Sequence, residues 1–157
     1  MISLRTFTIT DLGLIEKWLD KENITFFFGE PAVWINEISN HLPSMPNDWK
    51  YHYMVEINNI PIGFTQYYDV VQAPIGKWAN TPDKTAGIDY LIGEEQYLGK
   101  GYGHILIKAI VKEISLTGRF RYIIADPNPA DKPSTAVLLK NGFIILPNGL
   151  YQLNLLV

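Results

Sequence analysis

Hydrophobic residues change their spacing early in the chain. Residues 2–7 read as a strand, after which Leu12, Ile15, Trp18 and Leu19 recur every three to four positions. That change predicts β then α, with Thr10 and Asp11 placed to cap the helix. Residues 23–29 contain Phe26, Phe27 and Phe28 and read as an aromatic loop; Pro31 can then open a second helix bearing Trp34, Ile35 and Ile38. Residues 51–57 and 60–68 are strand-like on either side of Asn58 and Asn59, a pair that tolerates the positive φ of a tight hairpin. Residues 69–86 are rich in turn formers and predict a long surface loop, either a substrate flap or an excursion without structure.

The second half repeats the alternation of period. Residues 87–92 form a strand, and a glycine-rich turn leads into a helix whose apolar face is Leu106, Ile107, Ile110, Val111 and Ile114. His104, Lys108 and Lys112, four apart, make its wet stripe. Residues 122–125 are a short apolar strand. Asp131 can cap a helix over 133–140 that Asn141 and Gly142 end. Residues 143–146 and 151–155 supply two last strands around a turn at 147–149. The order β, α, α, three strands, α, β, α, β, β predicts an α/β domain with a mixed sheet flanked by helices.

Composition narrows the chemistry. The 157 residues, 47% hydrophobic, suit one domain spanning 1–157. A net charge of -3 argues against a nucleic-acid partner and mildly favours cationic small molecules. Without cysteine there is no thiolate ligand or nucleophile, and His41, His52 and His104 are too scattered to suggest a metal. No apolar run approaches the roughly 20 residues that span a bilayer, and the N-terminus lacks an apolar leader, so the chain reads as cytoplasmic with no membrane partner.

The segment Gln96-Tyr97-Leu98-Gly99-Lys100-Gly101-Tyr102-Gly103 lies between strand and helix. Backbone N–H groups exposed at such a helix N-terminus suit a pyrophosphate, and alternate glycines let its oxygens approach. Lys100 or His104 could add charge at the rim. The nucleotide loops of NTPases and dinucleotide enzymes have other glycine spacings.

Gln96, Gly99 and Gly101 stand where the GNAT superfamily of N-acetyltransferases carries its pyrophosphate-binding motif, and the sequence resembles that superfamily. Further pieces in order resemble its aminoglycoside 6'-N-acetyltransferase branch: Trp18-Leu19, Pro61-Ile62-Gly63, Gly87-Ile88-Asp89, Asp126-Pro127-x-Pro129 and Asn141-Gly142-Phe143. The resemblance implies a strongly bent, mostly antiparallel mixed sheet splayed between the strands ending near Ile92 and Ala125. It also implies acetyl-CoA as acyl donor, with no metal. The backbone at Leu91, Ile92 and Gly93 would pair with the pantetheine arm. Gln96, Leu98, Gly99, Lys100, Gly101, Tyr102 and Gly103 would hold the pyrophosphate, with His104 and Asp131 also on the cofactor side.

For the acceptor, the resemblance implies Asp89 as candidate base and substrate contact, and Asp126 as anchor for a cationic sugar. Trp49, Tyr67 and Trp78 could stack on that sugar. Two positions depart from the family: Asp131 replaces an asparagine, and Leu138 replaces the tyrosine proposed to protonate the departing thiolate. Tyr102 or Ser134 could serve instead, or the thiolate could leave unassisted. The loop pairs Lys77 and Lys84 with Asp69 and Asp83, a weaker lure for a polycation than an acidic flap. The expected activity is acetylation of a primary amine, most like the aminoglycoside 6'-amine, by a monomer or homodimer. The alternatives are another amine such as a siderophore precursor, and a non-catalytic acyl-CoA-binding domain.

Overall fold

The computed structural model describes residues 1–42, 49–73, 76, 78 and 80–155. Lys77 of the central loop lies outside them. β1 (Ile2–Thr6) leads through a 3-10 turn into α1 (Leu12–Leu19), followed by α2 (Glu22–Phe28) and α3 (Pro31–Ser39). Three strands come next: β2 (Lys50–Ile57), β3 (Ile60–Asp69) and β4 (Thr85–Ile92). Then follow α4 (Tyr102–Thr117), β5 (Tyr122–Ala125), α5 (Lys132–Lys140), β6 (Ile144–Ile145) and β7 (Tyr151–Asn154).

The expected aromatic loop at 23–29 is instead the helix α2. Its side chains do not form a continuous apolar stripe, so periodicity misses it; a lone buried Ile24 anchors it to the core. The first helix starts at Leu12 as expected, but Thr10 does not cap it; a capping box between Thr8 and Asp11 closes a 3-10 turn at Ile9–Asp11 just ahead of it. The long loop is shorter than read: Val70–Gln72 forms a 3-10 turn and β4 begins at Thr85. The hairpin is as expected, with φ of 49° at Asn58 and 66° at Asn59.

The strands form one seven-stranded sheet in the order β1-β2-β3-β4-β5-β7-β6, antiparallel except where β4 meets β5. Alternation assigns its two faces. Val55, Tyr67 and Ile88 point toward α4, whose Leu106, Ile107, Ile110 and Ile114 are fully buried among them. Met54, Phe64 and Leu91 point the other way, against Ile15, Trp18 and Leu19 of α1 and Ile38 of α3. A third cluster joins Tyr68, Val70, Ile124 and Leu150. Among the described residues no helix is long and apolar enough to cross a membrane.

Candidate functional site

The split in the sheet makes the site. β4 has eight residues, yet only Thr85, Ala86 and Gly87 pair with β5, opposite Tyr122, Ile123 and Ile124. Past Gly87 the strands part, and a cavity of about 410 Å³ opens between them. Ile88, Asp89 and Tyr90 form one wall and the turn from Ala125 to Pro129 the other, while Phe27, Phe28 and Trp34 of α2 and α3 close the side. That volume suits a small ligand.

Asp89 and Asp126, far apart in sequence, both line this cavity. Asp89 is oriented by Gln66 on the paired strand, whose Nε2 donates to Oδ2 at 2.8 Å. Thr65 Oγ1 donates to the Asp89 carbonyl at 2.9 Å. Burial pushes the Tyr68 hydroxyl well above the ordinary tyrosine range, and the charges of Asp89 and Asp126 push it the same way. Lys50, 4% exposed, lies on the same face with its ammonium 5.6 Å from the Tyr68 ring centroid and paired to Glu37 of α3. Burial holds that ammonium below the usual lysine range, while the charge of Asp89 pulls it back up.

On the α5 side, the Asp131 carboxylate accepts from the Ser134 N–H at 3.2 Å and caps the helix. Ser134 Oγ is 2.6 Å from the Tyr90 hydroxyl, so this pair bridges β4 and α5 across the split. Burial raises the Tyr90 pKa above its ordinary value, against the lowering effect of the Ser134 hydrogen bond. Leu138, one turn further along α5, is fully buried in the core.

At the mouth, Gly99 and Gly101 have φ of 69° and 85°, and a Cβ at either would meet nothing within 4 Å. Gly101 is the N-cap of the sixteen-residue α4, so open backbone stands at the positive end of a helix dipole. This cradle of exposed backbone suits an anionic group. Gln96, Leu98 and Lys100 are exposed around it, and Tyr102, Gly103 and His104 form the first turn of α4. Asn141 Nδ2 is 3.0 Å from His104 Nδ1, tying that first turn to the end of α5. Upstream, Leu91 is buried, Ile92 is half-buried, and Gly93 sits against the Trp18 indole. Lys21 Nζ, at the junction of α1 and α2, donates to the Gly93 carbonyl at 2.6 Å, and Trp18 Nε1 of α1 donates to the Glu94 carboxylate, so these two contacts hold the segment leading into the cradle.

Of the three proposed stacking residues, Tyr67 belongs to the α4 core, its ring 4.9 Å from Tyr51. Trp49 and Trp78 pack against the cluster of Tyr68, Val70, Ile124 and Leu150, Trp78 with its ring 6.1 Å from that of Tyr68, and neither lines the cavity. Gln66, Lys50 and Tyr90 were not expected as site residues, and Phe27, Phe28 and Trp34 carried no expected site role. Register held the signal for the first three: Gln66 faces Asp89, Lys50 faces Tyr68, and Tyr90 is on β4 beyond its last β5 partner. Among the described residues no group of three or more His, Cys, Asp or Glu could hold a metal ion.

Known proteins resemble this chain in sequence and in fold. The chain is 29% identical over 147 residues to the aminoglycoside N(6')-acetyltransferases type 1 of Klebsiella pneumoniae and Serratia marcescens, covering 90% of this chain and 73% of theirs. The crystal structure of aminoglycoside acetyltransferase AAC(6')-Ib in complex with coenzyme A and kanamycin superposes with a TM-score of 0.82 at 26% identity, over 98% of this chain and 95% of that one. The family model of the GNAT acetyltransferase domain matches residues 8–148, and with the split sheet and glycine cradle already described, the chain belongs to the GNAT acetyltransferase family.

Proposed function

We propose that this protein transfers the acetyl group of acetyl-CoA to a primary amine of a cationic small molecule, the 6'-amine of an aminoglycoside. The observation that carries the reading is the placement of Asp89 and Asp126 in one cavity, at a sheet split whose neighbouring helix N-terminus offers an open glycine cradle. The similarity to aminoglycoside acetyltransferases, one with coenzyme A and kanamycin bound, supports the choice of donor and acceptor.

An amine attacks a thioester only when uncharged, so a group must take its proton. Asp89, held by Gln66, serves as that base. Asp126, on the opposite wall, anchors a second ammonium of the acceptor. Backbone N–H groups on the β4 edge beyond Gly87 meet the negative charge that grows on the acetyl oxygen. The α4 N-terminus and Gly99 to Gly101 hold the donor's diphosphate, and Phe27, Phe28 and Trp34 offer flat apolar area to the acceptor.

Lys50 favours a second reading. A buried cation beside Asp89 reduces the attraction for a polycation, which suits an acceptor with fewer ammonium groups. A screen of acetyl-CoA consumption over aminoglycosides, polyamines, amino acids and simple amines tests both. Highest kcat/KM on aminoglycosides supports the first reading; highest kcat/KM on a monoamine replaces it with the second.

A further inference from the structure

A thiolate must leave when the tetrahedral adduct collapses, and position 138, where the resemblance expects a donating tyrosine, is an apolar core residue. Of the hydroxyls named as substitutes, Tyr102 stands at the start of α4 with its ring 5.5 Å from that of Tyr97, and it does not line the cavity. Ser134 does line it, and so does its partner Tyr90. Tyr90 is three residues past the point where β4 and β5 part, and its hydroxyl lies 2.6 Å from Ser134 Oγ on the first turn of α5. Along β4 from the glycine cradle toward Gly87, Tyr90 follows Ile92 and Leu91, so this bridge stands on the cradle side of Asp89.

We propose that the Tyr90 hydroxyl is the proton donor to the leaving sulfur, with Ser134 as its positioning residue. The assignment rests on the transferase reading above. The amine nitrogen bonds to the acetyl carbon and its proton passes to Asp89. The C–S bond then breaks, sulfur keeps the electron pair, and the Tyr90 O–H proton moves onto it. Ser134 Oγ–H gives its proton to the Tyr90 oxygen and is itself reprotonated by water at the cavity mouth. The products are the amide and the free thiol, and the proton on Asp89 returns to solvent. Burial raises the Tyr90 pKa above its ordinary value, so the phenol is neutral and holds its proton before each turnover.

Tyr90→Phe keeps the ring and removes the donor. With acetyl-CoA and the best amine of the screen, kcat should fall roughly 10- to 100-fold, at or just below the usual range for acid catalysis because a thiolate is already a fair leaving group. The KM for acetyl-CoA should stay within about twofold, since the lost bond acts on charge that appears only in the transition state. Ser134→Ala should show a smaller loss of the same kind. A second readout needs no turnover: the thiol of coenzyme A bound to the protein is titrated by its thiolate ultraviolet absorption. Its pKa should be about one unit higher in the Tyr90→Phe complex than in wild type, because a hydrogen bond to the thiolate is gone. Wild-type kcat in Tyr90→Phe, or the same bound-thiol pKa in both complexes, overturns the assignment. If the wild-type protein acetylates no amine, the transferase reading fails, and the thiol titration still decides whether Tyr90 reaches the sulfur.

Discussion

Gly101 and Gly118 bracket α4, and replacing each by alanine separates the helix from its ligand. Both have left-handed backbones, with φ of 85° and 68°, and an added Cβ meets nothing within 4 Å at either. Steric cost in the free protein is therefore confined to the backbone. A non-glycine residue there costs about 1–2 kcal/mol, partly offset by about 0.4–1 kcal/mol from the stiffer unfolded chain. The net loss of about 1 kcal/mol should lower Tm by roughly 2–4 °C in a chain of this size, equally for both variants. Binding should differ. At Gly101 the open space is where diphosphate oxygens approach the backbone, and a methyl group there removes a charge-assisted hydrogen bond worth about 1.5–3 kcal/mol. That corresponds to a roughly 10- to 150-fold higher Kd for acetyl-CoA in Gly101→Ala, while Gly118→Ala binds as wild type. Titration calorimetry on the three proteins reads the difference. Equal affinity in all three, or equal weakening in both variants, would refute the cradle.

The two aspartates should fail differently: Asp126→Asn should raise the acceptor KM by an amount equivalent to about 1.5–3 kcal/mol, and Asp89→Asn should lower kcat roughly 10²-fold or more. Wild-type kinetics in both across the neutral range would sink the assignment. Gly93→Ala would put a Cβ 2.1 Å from the fully buried Trp18 ring, an overpacking worth about 1–3 kcal/mol; a thermal melt matching wild type would show that the indole can move aside. Asp11 is pushed up by burial, but hydrogen bonds from Arg5 and the Thr8 N–H outweigh this and leave its carboxyl below the usual range. A carboxyl lowered in the folded state stabilises above its unfolded pKa of about 3.9, and that stability is lost as pH falls through the folded value. Asp11→Asn should thus cost about 1 kcal/mol near neutral pH, after discounting for the partly exposed Arg5, and the gap from wild type in urea unfolding should close below about pH 4; a gap independent of pH would contradict this.

Periodicity revealed α4 because Leu106, Ile107, Ile110 and Ile114 are all buried on one side. It missed α2, where Phe26 is 65% exposed and Ile24 alone is buried. The glycine cradle was readable because its positive φ values favour glycine, and Gly87, one piece of the resemblance, is a glycine because the Tyr68 ring occupies the space a side chain would need. Gln66, Lys50 and Tyr90 left no local signature. Their meaning comes from strand register, which sets Gln66 against Asp89 and carries Tyr90 beyond the last pairing with β5. The departure at Leu138 was visible in sequence, but the hydroxyl bridge across the split required the packing of α5 on β4.

Acetyl transfer to the 6'-amine is tested by incubating the protein with acetyl-CoA and kanamycin and locating any new acetyl group on the product by mass spectrometry and NMR. One acetyl group is expected on the 6'-amine, and no product when the same position carries a hydroxyl. Kanamycin recovered unmodified, or acetylated at another amine, would contradict it.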